Sequence, residues 1–200
     1  KQLNKTHFGA KNFLKKNSYS YQSNSISFFS GKRDTSYRKY VIKNILDKNK
    51  INFSNFKTLD VGCNLGTFTQ YSMDLGSLWS IGIDTPDIAE VSRRYLNIQG
   101  YCNFDILGCN LKRDNLLDKL RLNYFDFIFY LSIEGHIGFP DWIKKIEFIY
   151  FLYEGHEGES IETINSKFHK HFTTYSIIHK DYIQDGDSFK RPLILYKKND

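Results

Sequence analysis

Thr58-Leu59-Asp60-Val61-Gly62-Cys63-Asn64-Leu65-Gly66-Thr67-Phe68-Thr69 is the stretch that decides the fold. A short apolar run carries an acidic residue near its end, enters a glycine-punctuated turn and continues with helix-compatible spacing. That order reads as a strand, a tight turn and a helix. Gly62 lets the backbone turn sharply and come close to a ligand without a Cβ in the way. Gly66 lets the helix begin close to the strand. Asn64 stands between them, and asparagine tolerates left-handed backbone better than most residues.

Outward from this segment the same alternation repeats. Strands are expected at Thr58–Val61, Trp79–Asp84, Tyr101–Phe104, Phe125–Leu131 and Ile146–Tyr153. Helices are expected at Gly66–Leu75, Ile88–Ile98, Arg113–Leu122, Pro140–Lys145 and Ser160–Phe172. Short apolar strands that alternate with helices predict right-handed crossovers in a parallel sheet. Tyr175–Lys180 and Pro192–Lys197 flank the polar turn Gln184-Asp185-Gly186-Asp187 and predict a closing hairpin. Acidic residues recur near three successive strand ends, at Asp60, Asp84 and Asp105. An acid at the end of a second strand is placed to take two ribose hydroxyls, a role that also suits a nicotinamide cofactor.

These elements together resemble the class I methyltransferases that use S-adenosylmethionine (AdoMet), over roughly residues 57–198. The resemblance implies a Rossmann-like α/β sandwich of three layers, with a mainly parallel seven-stranded sheet and a C-terminal antiparallel hairpin. It implies AdoMet as cofactor. Asp60 would orient the methionyl end, with Gly62, Asn64 and Gly66 forming the turn. Asp84 and Thr85 would lie at the ribose, Asp105 and Ile106 at the adenine, and Leu131 at the end of the fourth strand. The middle glycine of the family's pattern is Asn64 here. The family's reaction face follows the fourth strand, where this chain has Ser132-Ile133-Glu134-Gly135-His136. His136 is the candidate general base, because an imidazole titrates near neutrality, and Glu134 is the candidate that orients the imidazole or the acceptor. A second Glu-Gly-His, Glu154-Gly155-His156, follows the fifth strand and is assigned to acceptor binding. Neither copy has helical i, i+3 or i+4 spacing, so no metal is expected.

Composition bounds the rest. The chain has 200 residues and a net charge of +6, with 16% aromatic residues. Residues 1–57 hold 13 Lys/Arg against two Asp/Glu, a net of +11; the remainder holds 15 against 20, a net of −5. The expected division is a basic extension and helical cover over 1–50 and an AdoMet-binding domain over 51–200. An amphipathic helix is expected over 35–49, and the aromatics from Phe8 to Phe29 are scattered before it. Arg38 and Tyr37, near Lys32, Arg33, Lys39 and Tyr40, are candidates to hold an acidic acceptor by charge and stacking. The extension is read as not needed to finish the fold. Three cysteines with no C-x-x-C spacing predict free thiols in a reducing, cytoplasmic setting. No apolar run is long enough to span a bilayer.

Motifs typical of adenine-amino, cytosine-C5 and ribose 2′-O methylation are missing. The expected acceptor is therefore an O or N nucleophile of a glycan or small metabolite. A nucleic acid held by the basic arm and a non-catalytic partner subunit are the alternatives.

Overall fold

The computed structural model of the chain describes residues 35–120, 122–184 and 190–200. Phe8, Phe13, Phe28, Phe29, Lys32 and Arg33, and Asp185 to Asp187 of the expected turn, lie outside the described residues. Helix α1 (Thr35–Lys48) leads into β1 (Lys57–Val61), α2 (Thr67–Asp74), β2 (Trp79–Asp84) and α3 (Pro86–Ile98). Then come β3 (Phe104–Gly108), α4 (Leu117–Leu120), β4 (Tyr124–Leu131), α5 (Glu134–Ile137), α6 (Asp141–Lys144) and β5 (Glu147–Glu154). The chain closes with α7 (Ile161–His169), β6 (Tyr175–Ile183) and β7 (Arg191–Lys198).

Seven strands form one sheet in the order β3-β2-β1-β4-β5-β7-β6. β1 to β5 are parallel, and β7 joins antiparallel to both β5 and β6. The order reverses between β1 and β4. This is the switch point outside whose carboxyl ends an open α/β sheet binds its ligands. The sandwich, the parallel core and the terminal hairpin are those expected from the sequence.

Both faces of the sheet are covered, which is why its central strands read as nearly continuous apolar runs. On one face Leu59, Val61, Ile81, Ile83, Ile128 and Tyr130 pack with Trp142, Ile143, Ile164 and Phe168. On the other, Phe127, Phe129, Leu152, Leu193 and Leu195 form a cluster with Ile42, Ile45 and Leu46 of α1 and Phe68 of α2. Ile42, Ile45 and Leu46 are almost wholly buried. The helix before β1 thus packs into the core of the sheet.

Helix starts follow local chemistry. Pro86 opens α3, where its missing N–H costs nothing. The Ser160 side chain accepts from the Thr163 N–H at 3.1 Å and caps α7. Thr58, Ser72 and Ser80 form a buried hydroxyl trio at 2.7–3.0 Å, through which α2 sits close on the sheet.

The third strand differs from expectation. β3 begins at Phe104 rather than ending there, so Asp105 lies inside it, paired with Ile81. The cause is edge position: a strand at the rim can turn a charged side chain to solvent, and Asp105 is exposed. Helix α4 is also shorter than the expected 113–122, and α5 occupies what was read as loop.

Candidate active site

The carboxyl edge of β1 turns on three left-handed residues, Gly62 (φ 71°), Asn64 (φ 51°) and Gly66 (φ 77°). Gly62 and Cys63 both donate N–H bonds to the Ile83 carbonyl, at 2.9 and 3.0 Å, which closes the turn against β2. At Gly66 a Cβ would lie 2.6 Å from Ser92 Oγ and 3.1 Å from Leu96. The glycine therefore permits close packing onto α3, a reason beyond the strand–helix approach expected from the sequence.

Asp84, at the end of β2, binds this turn. Its Oδ2 accepts the Asn64 N–H at 2.8 Å and its Oδ1 accepts the Thr85 N–H at 2.7 Å. The Thr85 side chain is a third donor to the group, and a carboxylate has about four acceptor sites, so it keeps capacity for a further hydroxyl. Burial pushes its pKa up, opposed by these N–H bonds. Asp60 lies deeper. Its Oδ2 accepts both the Thr69 N–H, at 2.8 Å, and the Thr69 hydroxyl, at 2.9 Å. Burial pushes this carboxyl up to about 7; the Thr69 bonds and Arg38 pull down, and Asp84 pushes up.

Asp105 does not reach this edge. The tryptophan Nε1 of Trp79 donates to its carboxylate at 3.2 Å, three positions before the strand ends. Ile106 is buried beside Ala89 and Leu96. Asp84 pairs with Gly108, and the Cys109 N–H donates to the Asp84 carbonyl at 2.8 Å. Cys109-Asn110-Leu111 thus stands where Asp105-Ile106 was expected. Sequence reasoning missed it because the small residue Gly108 ends a strand whose start was misplaced.

After Leu131, Ser132 turns into left-handed backbone (φ 55°) and donates its N–H to the Glu154 carbonyl at 2.9 Å. Such a conformation in a residue with a Cβ costs about 1–2 kcal/mol and is held by its surroundings. The Ser132 hydroxyl also donates to the Glu154 carboxylate. Ile133 then folds over the turn, close enough that a Cβ on Gly62 would meet it at 2.8 Å. His136 is exposed on α5, its ring 5.5 Å from that of His156 and nearly perpendicular. The Glu134 carboxylate takes Lys167 Nζ at 3.0 Å.

Glu154 and Arg38 meet, but not at the surface. The Arg38 guanidinium is fully buried, ion-paired with Glu154 and 4.9 Å from the centre of the Phe68 ring. This corrects the view of Arg38 as an outward cation for an acidic acceptor: the side chain faces the core because its partner lies at the end of β5. Tyr37 and Tyr40 are exposed. His156 accepts the Gly135 N–H on Nε2 at 3.0 Å, so the two Glu-Gly-His corners touch. No cluster of metal-ligating residues occurs among the described residues. No helix among them is long and apolar enough to cross a membrane.

No protein-family model and no curated protein matches the sequence. Solved structures do match by shape. Magnesium protoporphyrin IX methyltransferase from Synechocystis PCC 6803, with bound S-adenosylhomocysteine (SAH), superposes with a TM-score of 0.66 at 9% identity, covering all of both chains. TrmK of M. capricolum in complex with SAH gives 0.57 at 14% identity, over 78% of this chain and 68% of that one. The ribosomal protein L11 methylase of Lactobacillus delbrueckii subsp. bulgaricus gives 0.57 at 13%, over 78% and 76%. The chain has the fold of class I AdoMet-dependent methyltransferases.

Proposed function

We propose that the chain is an AdoMet-dependent methyltransferase acting on an O or N nucleophile of a glycan or small metabolite. The observation that carries this reading is Asp84: a carboxylate at the end of β2, bonded to Asn64 of the left-handed turn, at the switch point of the sheet. The residues fit the cofactor. Asp84 offers a carboxylate to a ribose diol, with the Thr85 side chain as the donor that a ribose hydroxyl would replace. The turn from Gly62 to Gly66 brings backbone close without side chains. Cys109-Asn110-Leu111 borders the same edge as the candidate adenine neighbour, in place of Asp105 and Ile106. Asp60 offers a carboxyl to a cationic methionyl end, and Leu131 ends β4 beside the crevice.

AdoMet, when bound, supplies an electrophilic methyl group. The protein's task is then alignment and removal of one proton, and alignment carries much of the rate. His136 is the exposed base on the loop that covers Gly62, placed to accept the proton of the acceptor's hydroxyl or amine. A nucleic-acid acceptor is the second reading, favoured by the exposed Tyr37 and Tyr40 on α1 beside a basic extension.

Calorimetry with AdoMet, SAH and NAD tests the cofactor. AdoMet and SAH are expected to bind and Asp84→Ala to weaken both at least tenfold, through loss of charge-assisted bonds; NAD binding without AdoMet binding refutes the proposal. Methyl transfer from labelled AdoMet, screened against RNA, DNA and a metabolite extract, tests the acceptor. His136→Ala is expected to lower turnover by about 10²–10⁴-fold with cofactor affinity nearly unchanged.

A further inference from the structure

The two Glu-Gly-His corners are joined by a closed cycle of polar contacts. The Gly135 N–H donates to His156 Nε2 at 3.0 Å. The His156 N–H donates to the Glu159 carboxylate at 2.6 Å. Lys167 Nζ on α7 holds Glu159 at 2.6 Å and Glu134 at 3.0 Å. Glu134 adjoins Gly135 and closes the ring. The imidazole lies flush on the backbone: a Cβ on Gly135 would stand 2.6 Å from Nε2. The loop so held carries His136 on one side and, one residue before α5, the Ile133 that lies on Gly62.

We infer that His156 is a positioning residue, whose unprotonated Nε2 clamps the Gly135 N–H and so fixes His136 and Ile133 over the Gly-rich turn, and whose protonation releases that loop. The functional half rests on the reading of this turn as the AdoMet site. The chemistry of the clamp is simple. An imidazole nitrogen that accepts a hydrogen bond carries no proton. Once protonated, Nε2 becomes a donor that faces another donor, and the contact is lost.

The surroundings set the direction of the switch. Burial favours the neutral ring most. Glu159, from the segment before α7, favours the cation; His136 on α5 and Arg191 on β7 oppose it; and Glu134 favours it. Lys167 lies between both carboxylates and offsets their pull. The ring's pKa is held below the ordinary histidine value, so the clamp is closed at neutral pH and opens in acid.

The test uses the full chain without ligand. Hydrogen exchange of the segment 132–138, corrected for intrinsic rates, is followed against pH in wild type, His156→Gln and His156→Ala. Glutamine can accept the Gly135 N–H but does not titrate. Wild type is expected to lose protection about five- to tenfold in acid, the worth of one hydrogen bond. H156Q is expected to stay protected throughout, and H156A to be unprotected at every pH. Exchange of β5 reports that the fold is intact. SAH affinity by calorimetry is expected to follow the same order, weakened about five- to tenfold in H156A and rescued in H156Q. Equal pH dependence in wild type and H156Q overturns the proposal, whether or not H156A folds. So does unchanged SAH affinity in H156A where wild type binds. If SAH binds none of the forms, the cofactor reading fails, while the exchange data still decide the clamp.

Discussion

Asp60 and Arg38 show what single residues contribute. The folded pKa of Asp60 is about 7, against an ordinary carboxyl value of 3.8. The folded state therefore keeps a proton that the unfolded state gives up. The stability from this group is fully present below pH 3.8 and is lost as pH rises through 7. Relative to Asp60→Asn, wild type is expected to lose stability across that window in urea melts; parallel curves would show that the carboxyl ionises freely in the fold. Arg38 and Glu154 make a different case. Arg38→Met alone removes a buried cation from its carboxylate partner and is expected to cost about 3–5 kcal/mol, while Arg38→Met with Glu154→Leu recovers most of it. A single variant as stable as wild type would show that the pair is not buried in solution. Asp84, Gly62 and Gly66 were legible in the sequence, because strand, turn and helix are neighbours along the chain. The ion pair was not. Its partners are 116 residues apart, and no local pattern distinguishes an inward arginine from an outward one.

At the scale of elements, α1 is the instructive case. Its periodicity was readable, since Ile42, Ile45 and Leu46 share one face. What that face meets was not readable, because the partners lie on β4, β5 and β7. A chain that starts at residue 50 loses these three side chains and Arg38. It is expected to be unfolded or aggregated, whereas the full chain shows a cooperative thermal transition. Ile45→Ala in the full chain should cost about 2–5 kcal/mol, measured by denaturant titration. A stable, cooperatively melting fragment from residue 50 would show that α1 is dispensable. The misplacement of β3 has an equally physical origin. A rim strand alternates buried and exposed positions, and Asp105 in its middle resembles the acid that ends an inner strand.

For the whole molecule, the alternation of strands and helices was enough to give the layers and the final hairpin. It does not give strand order, which depends on pairings across the chain. The dense aromatics proved to be structural: Phe148, Phe151, Phe168, Phe172, Tyr175 and Tyr196 interlock on one face of the sheet. The cluster that α1 shares with β7 has a consequence for synthesis. Ile42, Ile45 and Leu46 emerge from the ribosome early, yet Leu193 and Leu195 follow some 150 residues later. At about 5–20 residues per second, the greasy side of that helix waits roughly 8–30 s for its partners. A nascent chain arrested before β7 should therefore be a chaperone client, and the same chain lengthened past residue 198 should not.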